Sequence, residues 1–154
     1  MEFKKEMLIG VYSLVSYHVT DADGNITYPM GEDCTGFIMY HPGGYMSAQM
    51  MSQGRPAYES RSLHTGTLEE MATAAEGYMA YSGPYEVDEQ NKVVTHHMTV
   101  SMNPTWLGNS QLRYVNLNDG ILEINSPPII VDRKEQIASL VWKRVKSIGV
   151  ADCM

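Results

Sequence analysis

His96 is the residue of this chain whose type and setting could support acid–base chemistry inside the fold. Residues 93–102 alternate between apolar and polar side chains, which predicts a β-strand with one buried face. His96 belongs to the apolar face and His97 to the polar one. The other residues of the apolar face are Val94, Met98, Val100 and Met102. An imidazole with a pKa near ~6.5 can exchange a proton near neutral pH, so His96 is a candidate general acid or base. A hydrogen-bonded interior histidine without a chemical role is the alternative.

The pattern also predicts where His96 lies. We expect His96, and not His97, to line the largest cavity, and burial among apolar neighbours should lower its pKa. Pro104 cannot donate to a β-ladder, so the strand should end before it. Trp106 follows the strand end and is expected either at the rim of a cavity or as a hydrophobic plug.

Arg113 is the second candidate, because it shares a strand face with Gln111, Val115 and Leu117. If that face is interior, the guanidinium is a buried cation that needs a carboxylate, an anionic ligand group or hydrogen-bond acceptors. If the face is exterior, Arg113 lies on the outer wall. The sequence leaves both placements open.

Gln49 and Tyr45 lie on one face of another predicted strand, and Met46, Ala48 and Met50 on the other. The sequence does not decide which face is inward. Tyrosine hydroxyls could also contact a ligand, although simple wall packing explains most of them. The residues chosen as candidate ligand contacts are His96, Arg113, Gln49, Tyr45, Tyr78, Tyr85, Trp106 and Met98.

Several classes of site are disfavoured. His96 and His97 point to opposite sides of a strand, and the remaining histidines lack ligand spacing, so no metal site is expected. The sequence contains no G-x-S-x-G motif, phosphate loop or dinucleotide fingerprint, and no cofactor is expected. The net charge is −7 without a basic cluster, which disfavours binding to nucleic acid.

Size and composition indicate one globular domain over residues 1–154. We expect no membrane span and no signal peptide. Cys34 and Cys153 are expected to be free thiols in a reducing compartment, so the expected location is the cytoplasm. The expected partner is a small hydrophobic ligand, and a homodimer is left open.

The elements that must position these residues are short strands joined by hairpins. Turn residues occur at positions 42–43, 88–92 and 118–120. Thr67 and Glu70 form a capping-box pattern, which predicts one α-helix near residues 68–81, ended by Gly83 and packed across one end of the fold. The predicted fold is mainly β: an antiparallel up-and-down barrel of about eight to ten strands, because closure removes open sheet edges.

The chain resembles the bacterial and fungal lipocalin-like domain family from about residue 8 to residue 144. The motifs that carry the resemblance are Gly10-Val11-Tyr12, Gly36-Phe37-Ile38-Met39-Tyr40, Gly44-Tyr45-Met46-Ser47-Ala48-Gln49, Arg55-Pro56, Gly77-Tyr78 with Ser82-Gly83 and Tyr85, His96 with Pro104, Trp106 and Gly108, and Leu140-Val141-Trp142-Lys143-Arg144. The resemblance implies a calyx-like barrel with a central cavity. Distant lipocalins pack an arginine of the last strand over a tryptophan of the first. Here Tyr12 stands in place of that tryptophan, and Arg144 is its expected partner.

Three functions remain open. The leading hypothesis is the binding of a small, largely apolar molecule in the barrel. The second is a cofactor-independent isomerase, cyclase or hydratase in the same cavity, with His96 as acid or base and Arg113 or a tyrosine stabilising an enolate-like charge. The third is a structural barrel whose interior is filled by side chains. The size of the cavity separates the third from the other two.

Overall fold

The computed structural model describes residues 2–131 and 133–148. Within these ranges the chain forms two α-helices, a 3-10 turn at Pro104–Trp106 and eleven strands. The helices are α1, Lys5–Leu8, and α2, Leu68–Glu76. The strands are β1 Gly10–Asp21, β2 Ile26–Thr27, β3 Thr35–Tyr40, β4 Tyr45–Met51, β5 Tyr78–Asp88, β6 Val93–His97, β7 Val100–Ser101, β8 Ser110–Asn118, β9 Ile121–Asn125, β10 Ile129–Val131 and β11 Lys134–Arg144.

Eight of the strands close into an antiparallel barrel, as predicted. Their order around the barrel is β1, β3, β4, β5, β6, β8, β9 and β11, and β11 pairs with β1 to complete the circle. Strands β2, β7 and β10 are short additions paired with β1, β5 and β11. The interior side chains form the hydrophobic core, because alternate residues of each strand point inward.

A register shift in β1 places residues of both parities inside the barrel. The pairing of β1 with β11 slips between Leu14 and Ser16, and Val15 is left 54% exposed. Leu14 and Tyr17, three residues apart, therefore both pack on the core.

The closed end of the barrel is built around Tyr12 and the short helix α1. Tyr12 and Leu8 are fully buried, and the Tyr12 hydroxyl donates to the Leu8 carbonyl oxygen at 2.9 Å. The Arg144 guanidinium lies 4.8 Å above the centre of the Tyr12 ring. The predicted contact between Tyr12 and Arg144 is confirmed, and α1, which the sequence did not predict, covers this end.

The predicted helix is shorter and more exposed than expected. Its capping box is present, since the Glu70 amide donates to Thr67 Oγ1 at 3.1 Å and the Thr67 amide to Glu70 Oε1 at 2.8 Å. The helix ends at Gly77 and not Gly83, because residues 78–84 pair with β4 as part of β5. Every residue of α2 is at least partly exposed, with Leu68 at 84%, so the apolar stripe of the helix is not buried against the barrel as expected.

The predicted strand over residues 93–102 is also interrupted. After His97, the Met98 amide donates to the Asn109 carbonyl oxygen, and the Thr99 amide donates to that of Ser82. The chain thus leaves β8 and stays beside β5 as β7, but the pairing with β5 shifts by one residue, so the alternation changes face. Val100 is 66% exposed, so the prediction that it and Met102 share the interior face with His96 is wrong.

Three further predictions concern the cysteines, the number of domains and membrane spans. Cys34 is a buried free thiol, whereas Cys153 lies outside the described residues. The single domain over residues 1–154 stays a prediction. Across the described ranges, the helices are too short and too polar to cross a membrane.

Candidate functional site

A cavity of about 560 Å³ occupies the half of the barrel away from α1. This volume lies in the range of small-molecule pockets. The wall is mostly apolar, and its main apolar residues are Ile38, Met50, Met79, Ile124, Leu140 and Trp142. Tyr17, Tyr81, Gln111 and Arg113 add polar groups. A barrel with such a space is not filled by its own side chains, which argues against the structural barrel.

Arg113 is interior, which settles the placement that the sequence left open. In the register of β6 and β8, Val94 lies opposite Arg113 and His96 opposite Gln111, so the four side chains share the inner face. The guanidinium donates to the Leu112 carbonyl oxygen at 2.8 Å and to the Gln111 side-chain oxygen. Both acceptors are neutral, so the charge of Arg113 is solvated by dipoles and not matched by an anion.

His96 is fully buried and is the centre of a hydrogen-bonded chain of side chains. Its Nε2 lies 2.7 Å from the Tyr40 hydroxyl, and its Nδ1 lies 3.4 Å from the Tyr81 hydroxyl. Burial lowers the pKa of His96 to about 3, with smaller contributions in the same direction from Arg113 and His97. The imidazole is therefore neutral at physiological pH, as the apolar surroundings predicted.

The prediction that His96 lines the largest cavity is wrong. The cavity wall at this position is formed by Tyr81, whose ring centre lies 5.7 Å from that of His96. Tyr40 packs against the imidazole at the same distance. The Tyr81 hydroxyl, 3.4 Å from Nδ1, links His96 to the cavity wall.

His97 faces outward, as predicted. Its Nε2 lies 2.8 Å from Glu86 Oε2, and its Nδ1 lies 2.7 Å from the Ser110 hydroxyl. The two adjacent histidines are therefore on opposite sides of the barrel wall.

Three of the predicted ligand contacts lie on the outer wall. Gln49 and Tyr45 are exposed, and Tyr78 donates to the side-chain oxygen of Gln49 on the outside of the barrel. None of the three lines the interior cavity, and their contact with a ligand stays a prediction. The apolar side chains on the opposite faces of β4 and β5 fill the interior instead: Met46, Ala48, Met50, Met79 and Tyr81.

Of Trp106, Tyr85 and Met98, the structure places Trp106 in the cavity wall. Trp106 lines the cavity and meets the Tyr81 ring edge-on, with ring centres 5.9 Å apart. Tyr85 and Met98 are buried in the interior, but neither lines the cavity. The Tyr85 hydroxyl donates to the His41 carbonyl oxygen at 3.0 Å, and its ring packs on Tyr40.

Tyr17 and Tyr81 line the cavity but were not among the chosen candidates. Tyr81 was hidden by the overlong helix, since alternation in residues 78–85 would have placed Met79, Tyr81 and Tyr85 together on one strand face. Tyr17 depends on the register shift in β1, for which the sequence gives no clear signal.

Comparison with known proteins agrees with this architecture. The lipocalin-like domain family matches residues 9–145. A curated relative is the 4'-hydroxy-3'-methoxypropiophenone carrier protein ppsC of Aspergillus oryzae (strain ATCC 42149 / RIB 40). It is 35% identical over 107 residues, which cover 65% of this chain and 96% of the relative.

The family match and the carrier relative confirm the predicted class of function, the binding of a small hydrophobic molecule. They also confirm the resemblance drawn from the motifs, since the matched range includes both Tyr12 and Arg144. This chain belongs to the lipocalin-like domain family.

Proposed function

We propose that this protein is a carrier that encloses a small aromatic ketone in the barrel cavity. The observation that carries the proposal is the cavity of about 560 Å³, whose apolar wall surrounds a few polar groups. Such a wall suits an aromatic ring, and the polar groups fix its orientation. The similarity to the Aspergillus carrier protein for 4'-hydroxy-3'-methoxypropiophenone supports this ligand class.

The proposed ligand contacts differ from those chosen on the sequence. Arg113 and Trp106 are retained, and Tyr17, Tyr81 and Gln111 are added, because all five line the cavity. The apolar ring of the ligand would pack among methionine and leucine side chains, which adapt to ligands of different shape.

The geometry favours a carrier over an enzyme that uses His96. A general base must reach the proton that it removes, directly or through one water. His96 is separated from the cavity by Tyr81, and its pKa of about 3 makes it a weak base. The isomerase, cyclase or hydratase alternative has no comparable support from the cavity wall.

Isothermal titration calorimetry with 4'-hydroxy-3'-methoxypropiophenone tests the proposal. Ala138 lines the cavity and its neighbour Ile137 is exposed, so the two residues offer a matched pair. Ala138→Trp should fill the cavity and weaken binding at least about tenfold, ~1.4 kcal/mol. Ile137→Trp should leave the affinity within about twofold, since it adds the same side chain outside. Undetectable binding by the wild type, or an equal loss in both variants, contradicts an interior carrier site.

Two further expectations stay predictions. The first is that the carrier acts in the cytoplasm, which fractionation of cells producing the full chain would measure. The second is the homodimer. Exposed apolar residues on the outer wall, Phe37, Met39 and Tyr45, are of the kind found at subunit contacts, and light scattering measures the oligomeric state directly.

A further inference from the structure

The cavity wall carries strong hydrogen-bond donors. Arg113 contributes a guanidinium and Tyr81 contributes a hydroxyl. Two side-chain acceptors on the wall are already engaged. The Gln111 side-chain oxygen accepts from Arg113, and the Ser126 hydroxyl oxygen accepts from the Ala138 amide. A ligand that fits this wall must therefore bring acceptor atoms of its own.

The charge of Arg113 narrows the class of acceptor. In the part of the chain that the structure describes, no carboxylate lies within ion-pair distance of its guanidinium. A partly buried cation with only neutral partners favours an anionic group on whatever enters the cavity. The ionisable groups on the wall are Tyr17 of β1, Tyr81 of β5 and Arg113 of β8. Burial raises the pKa of both tyrosines, so Arg113 supplies the charge.

The chain from Tyr40 to Tyr81 determines which way the Tyr81 hydrogen points. A neutral imidazole has one donor and one acceptor nitrogen. If Tyr40 donates to Nε2 of His96, Nδ1–H donates to the Tyr81 oxygen, and the Tyr81 hydrogen is free to point into the cavity. The opposite tautomer would strand the Tyr40 hydrogen in the packed half of the barrel, where burial is complete. The first arrangement therefore leaves its free donor where a ligand can use it.

We propose that Tyr81 and Arg113 form an oxyanion subsite that binds the ionised oxygen of an acidic phenol, and that His96 and Tyr40 are positioning residues for the Tyr81 O–H group. This inference rests on the proposed carrier function and specifies its ligand as the phenolate form. A para-carbonyl group delocalises the phenolate charge, so an acylphenol combines an apolar ring with an oxygen that ionises easily.

The subsite lowers the pKa of the bound phenol, because it stabilises the charged form. The phenolic proton is released to the solvent when a neutral phenol binds at a pH between its pKa in the complex and its free pKa. Binding therefore tightens as the pH rises towards the phenol's free pKa. One pKa unit between free and bound phenol corresponds to a tenfold preference for the phenolate.

The test compares two ligands that differ only in the ability to ionise. The first is 4'-hydroxy-3'-methoxypropiophenone, and the second is 3',4'-dimethoxypropiophenone, its methyl ether. Each is bound to the full wild-type chain from pH 5 to 9, and ultraviolet absorption distinguishes bound phenol from phenolate. We expect the bound phenol to titrate at least about one unit below the free phenol, and the methyl ether to bind with no dependence on pH over this range.

Variants assign the effect to the two residues. Arg113→Gln should abolish the shift of the phenol pKa and should weaken the binding of the phenol more than that of its methyl ether. Tyr81→Phe should reduce the shift, whereas Tyr78→Phe, which removes a hydroxyl from the outer wall, should not. His96→Phe should reduce the shift of the ligand pKa as Tyr81→Phe does, since it removes the imidazole that orients the Tyr81 O–H group. Circular dichroism of each variant confirms that the barrel is retained.

The outcomes separate the two levels of the proposal. If both compounds bind but the phenol titrates as it does in water, or if Arg113→Gln retains the shift, the oxyanion subsite is wrong and the carrier function stands. If neither compound binds to the wild type, the aromatic-ketone carrier is wrong and the subsite falls with it.

Discussion

The Arg144 guanidinium covers the ring of Tyr12 and joins the two ends of the barrel sheet. It donates to the Tyr12 hydroxyl at 2.7 Å, to the Ile9 carbonyl oxygen at 2.8 Å and to that of Met7 at 2.6 Å. Tyr12 and Arg144 are also direct partners in the pairing of β1 with β11. The contact therefore fastens the strand pair that closes the circle to the helix that covers its end.

Replacing Arg144 by Met should destabilise the barrel by about 2 kcal/mol, because it removes a cation–π contact and three charge-assisted hydrogen bonds at a partly exposed site. Urea unfolding followed by circular dichroism measures the change. Lys143→Met removes a cation from the adjacent exposed position and should change the free energy of unfolding by less than about 0.5 kcal/mol. Equal effects of the two variants would show that general charge, and not this contact, stabilises the closed end.

His96 should make the stability of the fold depend on pH in the acid range. Its pKa is about 3 in the folded protein and near 6.5 in the unfolded chain, so the unfolded state binds more protons between these values. The free energy of unfolding should therefore fall by up to roughly 1.4 kcal/mol per unit as the pH drops from about 6.5 to about 3.

His96→Gln should flatten this dependence, because an amide does not titrate yet can still bond to Tyr40 and Tyr81. Urea unfolding at a series of pH values compares the two proteins. His97→Gln is the matched control, since His97 lies half-exposed on the outer wall. If His97→Gln reduced the pH dependence of the free energy of unfolding more than His96→Gln did, the outer histidine would control the response to acid.

Inner and outer wall variants should differ in their effect on ligand affinity. Gln111→Ala removes the partner of Arg113 and should weaken binding of 4'-hydroxy-3'-methoxypropiophenone about tenfold, by disordering the guanidinium. Gln49→Ala removes the same group from the outer wall and should leave affinity within about twofold. Calorimetry of both variants measures the difference. A larger loss with Gln49→Ala would place the binding site outside the barrel.

Gly83 should not tolerate a side chain. The register of β5 against β6 and β7 shifts by one residue after His97, and the His97 carbonyl oxygen lies against Gly83 there. A Cβ at Gly83 would lie 1.9 Å from that oxygen. Gly83→Ala should cost about 3 kcal/mol, since backbone atoms would have to move. Thermal unfolding measures this, with Gly43→Ala as the control, because there the neighbouring atoms belong to an exposed His41 side chain. A neutral Gly83→Ala would mean that β5 and β7 can separate without loss.

The sequence by itself determined the local elements and the class of fold. Alternation placed Val94 and His96 inside and His97 outside, and the Thr67–Glu70 pair marked the start of the helix. These features depend on neighbours in the chain, where side-chain period and turn chemistry act directly. The motifs also led to the lipocalin-like family and to the contact between Tyr12 and Arg144, because that pair joins the first and last strands of such barrels.

Only the tertiary structure decided which side chains meet in the cavity. Gln49 and Tyr45 lie on the outer face of β4. Which face of a strand points into a closed barrel depends on the register of all its strands, and the sequence of one strand does not decide it. Tyr81 lies between His96 and the cavity because strands β3, β5 and β6 bring Tyr40, Tyr81 and His96 together from distant positions in the chain. The change of face after Met98 follows from a one-residue shift in the pairing with β5, and the register shift in β1 that brings Tyr17 inward has no local pattern. The site is formed by pairing between strands that are distant in the chain, and a local pattern of side chains does not predict such pairing.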